Sequence, residues 1–167
     1  LFLGAPRTAP APPARDHRLV ARAYFVGDSR GSAGPRRCQG HLIPALVRET
    51  LGALGRPVAE EVVAGVEQLQ LRYGVDLNGD GAVDRYLDAG QPPLDDPAGW
   101  GVVRSVRLWV LVRSECPDPF HTDTRTYQMG DAPPYAPADH FHRALYRTTV
   151  ALRNPPAALG PPPTKGP

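Results

Sequence analysis

The clearest pattern in the chain is an alternation of apolar and polar side chains with a period of two, and it recurs three times. In residues 66–75, Leu69, Leu71, Tyr73 and Val75 fall on one side while Gln68, Gln70 and Arg72 fall on the other. That pattern predicts a half-buried strand. A helical turn competes at its start, because Val62, Val66, Leu69 and Tyr73 also fit a 3.6-residue period. In residues 102–112, Val102, Val106, Leu108, Val110 and Val112 read as inward and Arg107, Trp109, Leu111 and Arg113 as outward. Residues 141–152 place Ala144, Tyr146, Val150 and Leu152 on one face and Arg143, Leu145, Arg147 and Thr149 on the other. The outward positions Trp109 and Leu111 are not polar, so something is expected to cover that side of the sheet.

Weaker signals fill the first third of the chain. Residues 19–26 (LVARAYFV) predict a strand ended by the turn signal Gly27-Asp28-Ser29. Residues 28–40 read as a loop, and residues 42–47 as a short strand that Pro44 confines to an edge or to irregular structure. Gly52, Gly55 and Pro57 then break the chain. Strands in series with short turns, and no strong amphipathic helix between them, predict an antiparallel sheet.

Composition narrows the class. With 41% hydrophobic and 22% charged residues in 167 positions, one globular domain is the economical reading. The 21 prolines crowd the two ends. Residues 1–16 and 155–167 are therefore expected to be flexible, flanking a folded domain at 17–154. No window reaches the roughly 20 apolar residues of a membrane helix. Of 19 basic residues, Lys165 is the only lysine, within a net charge of +2. That arginine bias suits either a GC-rich genome or a surface that grips carboxylates and phosphates.

Three groups of residues bear on chemistry. The run Asp76-Leu77-Asn78-Gly79-Asp80-Gly81-Ala82-Val83-Asp84 follows the calcium-loop pattern through nine positions. Oxygens from Asp76, Asn78, Asp80, the Ala82 carbonyl and Asp84 could converge on one hard cation. The twelfth position is Leu87 rather than Glu, which sets any calcium affinity in the weak range of about 10⁻⁴–10⁻³ M. The competing reading is a hairpin turn whose Asp and Asn side chains satisfy the local backbone. Cys38 and Cys116 either close a long loop as a disulfide or stay as two buried thiols. His140 and His142 share a strand face with zinc spacing but lack a third ligand nearby. No nucleophile elbow or phosphate loop is present, so an enzyme is not expected.

The order of several short motifs resembles the PilW-like minor pilins of type IV pili. Gly65-Val66-Glu67, Leu69 and Tyr73-Gly74-Val75-Asp76 lead into Val83-Asp84-Arg85-Tyr86. Trp100, Val103, Val106-Arg107, Trp109 and Val112-Arg113-Ser114 follow, then a tyrosine strand Thr126-Tyr127-Gln128-Met129, and finally Thr149, Ala151 and Leu152-Arg153-Asn154. The resemblance implies an α+β, mostly β fold: a pilin-like antiparallel sheet packed on a long N-terminal helix that is missing or truncated here. It implies a non-enzymatic subunit of the inner membrane, periplasm and pilus that joins other minor pilins in priming and in tip function, whether twitching, adhesion or DNA uptake. The cover over Trp109 and Leu111 would be that helix or a neighbouring subunit. Two alternatives stay open: an extracellular calcium-binding adhesion module, and a DNA-binding component using Arg107, Arg113, Arg143, Arg147 and Arg153 as a basic stripe.

Overall fold

The computed structural model describes residues 21–52 and 55–153. The predicted flexible segments at 1–16 and 155–167 lie outside the described residues, as do the first two residues of the strand expected at 19–26. The fold among the described residues is mostly β and antiparallel.

Strand β1 (Arg22–Asp28) pairs with β6 (Pro44–Leu51), and β6 pairs with β7 (Pro57–Ala64), giving a three-stranded sheet. Two tiny ladders interrupt the expected loop at 28–40: β2 (Arg30–Gly31) with β3 (Gly34–Pro35), and β4 (Arg37–Cys38) with β5 (His41–Leu42). The second sheet has four strands in the order β11, β10, β8, β9, from Arg143–Ala151, Val103–Arg113, Val66–Val75 and Arg85–Leu87. A short 3-10 turn at Pro97–Val102 precedes β10 and is capped by Asp96, whose carboxylate accepts from the Ala98 amide.

Several expectations change. The strand with Pro44 is central rather than an edge, because Pro44 is its first residue and so removes no donor from the ladder that follows. Its carbonyl is still used, accepting from the Gly65 amide at 2.6 Å. Strand β7 had no alternation to announce it, since both its faces are exposed. The helical reading around Val62 gives way to strand on both sides of Gly65. The predicted tyrosine strand at 126–129 reduces to one bridge, Tyr127 to Tyr135.

Gly65 is where the chain leaves one sheet for the other. Its φ is +88°, and a Cβ there would stand 2.9 Å from the Arg113 carbonyl oxygen. Only glycine takes this turn without strain.

The alternation along β8, β10 and β11 holds, and the apolar sets of the three strands do share a face. The cross-strand pairs Leu71 with Leu108, Leu69 with Val110 and Val110 with Tyr146 establish that. On β10 the assignment of inside and outside is reversed. Trp109 and Leu111 are 6% and 0% exposed and belong to a core cluster with Tyr127 and Met129, joined by Tyr135 and Leu145. A second cluster, Val75, Leu87, Leu94 and Val103, closes the far end of the sheet.

Candidate functional site

The Asp loop connects β8 to β9, and its ends are fixed by backbone bonds from Asp76 to Val102 and from Asp84 to Val75. Asp76 is buried and turns its carboxylate into the loop, accepting from the Gly79 amide at 2.7 Å and the Gly81 amide at 3.0 Å. Both glycines sit at positive φ, which lets those amides point inward. The Arg104 Nε donates to Asp76 Oδ2 at 3.1 Å. Burial pushes the Asp76 carboxyl up, but the two amides and Arg104 outweigh it and hold it below its ordinary value.

The other expected ligands are spent locally. Asp80 accepts from the Ala82 amide, Asp84 from the Leu77 amide, and Asn78 from the Asp80 amide. Asp88 pairs with Arg72 at 3.1 Å. Among the described residues, no three His, Cys, Asp or Glu side chains gather as a metal would need. The loop is arranged as a self-capped hairpin turn in which Arg104 supplies the positive charge. A cation taking Asp76 Oδ2 would have to displace that guanidinium.

The two cysteines are joined. Cys38 and Cys116 form a disulfide across 78 residues, tying the β4/β5 ladder to the segment that follows β10. That segment, residues 114–142, folds back over one face of the four-stranded sheet and is pinned by ion pairs. Arg143 is 1% exposed at its side chain and grips Glu67, Asp139 and Asp123. Burial opposes the Arg143 charge, yet the carboxylates of Asp139 and Glu67 raise its pKa overall. Asp123 is raised by burial but held far below the usual carboxylate range by Arg125 and the Tyr127 hydroxyl. Burial, then the Asp123 carboxylate, pushes Tyr127 up to about 12.

This network corrects the expected role of Trp109 and Leu111. Their face is covered, as the sequence required, but by the chain's own Tyr127 and Met129 rather than by a helix or a neighbour. Asp123 and Asp139 of the covering segment meet Arg143 of β11, and Asp131 meets Arg72 of β8, pinning the segment over that apolar cluster.

The arginine stripe is broken by the same contacts. Arg143 is buried among carboxylates, and the half-buried Arg113 lies 3.8 Å from Glu67 and donates to the Leu42 carbonyl. Arg107 stacks over the Tyr86 ring at 3.7 Å. Arg147 and Arg153 remain exposed. His140 and His142 do not face each other: His140 Nδ1 lies against the His121 carbonyl, while His142 stacks on the His121 ring and pairs with Asp118.

What the alternation did not announce is the surface left open. On the face opposite Trp109, Tyr146 is 62% and Val150 52% exposed, Leu71 is also exposed, and Leu69, Val106, Leu108 and Val110 are only half-buried. A groove lined by residues 24–26 of β1 and residues 67–71 of β8, with Glu67, Gln68 and Gln70 among them, adjoins this surface at Leu69 and Leu71. The signal was present in the shared apolar face, but it had been read as interior. The Arg143 network had no sequence signal, since its partners lie up to 76 residues apart.

Residues 23–154 match the family described as Type IV Pilus-assembly protein W (PilW). No curated protein and no solved structure matches the chain.

Proposed function

Because the chain belongs to the PilW family of type IV pilus-assembly proteins, we propose that it is a non-enzymatic minor pilin, joining other minor pilins in priming and remaining at the pilus tip. The family assigns a role in pilus assembly and an envelope or pilus location.

The observation that supports the finer reading is the open apolar face of the four-stranded sheet. A sheet with one face sealed by its own chain and the other face apolar and open has half a core left unpaired. Leu71, Leu108, Val110, Tyr146 and Val150 form a stripe across three adjacent strands, a shape that suits an apolar helix laid over them. In a minor pilin that helix is the N-terminal one that anchors the subunit in the membrane and later in the filament. The helix-facing role first given to Trp109 and Leu111 thus moves to the opposite side of the same strands. Twitching, adhesion and DNA uptake all depend on the filament and would fall together if assembly failed.

The test places charge on the open face of the full-length protein in its host. Leu71→Glu and Tyr146→Glu are expected to lower pilus number and co-purification with pilus subunits, while the melting temperature of the 167-residue chain stays the same. Normal piliation with both substitutions in place would overturn the reading.

A further inference from the structure

The chain has two asparagines, Asn78 and Asn154. Asparagine followed by an unhindered amide is chemically unstable in water, because the next backbone nitrogen can close a five-membered ring on the side-chain carbonyl carbon. Pro155 follows Asn154 and carries no N–H, so that ring does not form there. Gly79 follows Asn78, and glycine puts no side chain in the way of the attack.

The fold places this pair where the ring has room and where its product matters. Asn78 is exposed in the Asp loop, Gly79 has a φ of +82°, and a Cβ on Gly79 would meet nothing within 4 Å. The Gly79 proton that must leave already rests on a carboxylate, Asp76 Oδ1, at 2.7 Å. The Asn78 carboxamide is also the group that bridges the loop's other acids, since its Nδ2 donates to Asp80 Oδ2 at 3.1 Å and to Asp84 Oδ1 at 3.4 Å. Arg104 is engaged by Asp76 and by the Gly101 carbonyl.

We propose that Asn78 is a site of spontaneous deamidation in the folded protein, and that the acid left at position 78 sets three carboxylates against one another across the β8–β9 loop. The Gly79 nitrogen bonds to Asn78 Cγ as the Cγ–Nδ2 bond breaks, and Nδ2 leaves as ammonia with the Gly79 proton. Water then opens the imide at either carbonyl, giving aspartate or, with the main chain rerouted through the side chain, isoaspartate. The net change is water in and ammonia out. Asp80-Gly81 has a similar backbone, but an ionised carboxylate is a poor electrophile. Loss of Nδ2 removes both bonds that bridge Asp80 and Asp84 and adds a negative charge beside them. Each of those acids then keeps a backbone donor, Ala82 for Asp80 and Leu77 for Asp84. The inference stands on the loop alone and is independent of the pilus reading.

The test holds the 167-residue chain, disulfide intact, in warm and mildly alkaline buffer and follows it by intact mass and peptide mapping. Folded wild type is expected to gain the mass of an amide-to-acid exchange at residue 78, in paired aspartate and isoaspartate peptides. Asn78→Gln, which needs a less favourable six-membered ring, should gain none over the same time. Asn78→Asp reads the consequence: its melting temperature should fall by roughly 2–4 °C at low ionic strength and by less at high salt, where the repulsion is screened. Residue 78 still intact in the folded chain, after the same chain unfolded in urea has converted, overturns the proposal, since the fold then protects the site. Asn78→Asp melting with wild type at every salt concentration overturns the part assigned to the carboxamide.

Discussion

Arg143 and Glu67 meet as a bidentate pair, Nε to Oε2 at 2.6 Å and Nη2 to Oε1 at 3.0 Å, linking the start of β11 to the start of β8 across β10. The pair is almost dry on the arginine side, and Arg143 also holds Asp139 and Asp123 of the covering segment. Removing one partner of such a pair leaves the others buried without compensation. Arg143→Ala is expected to cost about 3–5 kcal/mol, read as a shift in the urea midpoint. It should also loosen residues 114–142, seen as faster amide exchange at Tyr127. A midpoint unchanged within error would show that the network is ornamental.

The same network sets the acid limit of the fold. Asp123 and Asp139 have folded pKa values below their ordinary one, Asp123 through Arg125 and Tyr127 against the push of burial, Asp139 through Arg143. Their stabilisation is present above the unfolded carboxylate value of about 4 and is lost as pH falls toward the depressed folded values. Urea midpoints measured from pH 5 down to 2 should fall steadily, and Asp123→Asn should flatten that slope.

Tyr127 sets an alkaline limit of opposite sign. Its folded pKa is raised from 10.0 to about 12. Stability is therefore intact below pH 10 and falls as pH rises from 10 toward 12, where the unfolded phenol ionises and the folded one does not. Tyr127→Phe should remove that loss while lowering stability at neutral pH through the missing bond to Asp123.

The disulfide should resist alkylation until reduced. Iodoacetamide is expected to add no mass to the native protein and two adducts after reduction and unfolding. Opening a loop of this length costs about 4 kcal/mol in the chain-entropy account, so Cys38→Ser with Cys116→Ser should lower the melting temperature clearly. A full-strength fold without the bond would show that the ion pairs alone hold the covering segment.

The Asp loop gives a prediction about cations. Arg104 occupies the carboxylate of Asp76 that a metal would need. Arg104→Ala leaves Asp76, Asp80 and Asp84 without that charge, and millimolar calcium should then raise its melting temperature more than it raises that of wild type. Identical responses would end the calcium reading of this loop.

Much of the fold was legible because alternation is a local property. Leu69 and Leu71, Val106 to Val110, and Tyr146 and Val150 each announced a strand whose neighbours in sequence were enough to define it. Strand β7 escaped because it is exposed on both faces and its run of Ala, Glu and Val carries no period. Pro44 misled because position within a strand decides its effect, and the first residue needs no donor. The cysteine pair was legible as a possibility and the Arg143 network not at all, since partners up to 76 residues apart leave no local pattern.

By itself the sequence determined that the protein is built from two-faced antiparallel strands, in an order that identifies its family. Alternation states that a strand has two different sides, but not which segment covers one or that the other stays open. That choice fell to contacts between residues far apart in the chain: Glu67 and Asp123 with Arg143, Cys38 with Cys116, Trp109 with Met129. They hold residues 114–142 over the face of Trp109 and Leu111, where apolar burial beneath Tyr127 and Met129 drives the contact and the satisfied ion pairs fix its position. The apolar face was left open as a consequence, and only the folded chain could reveal it.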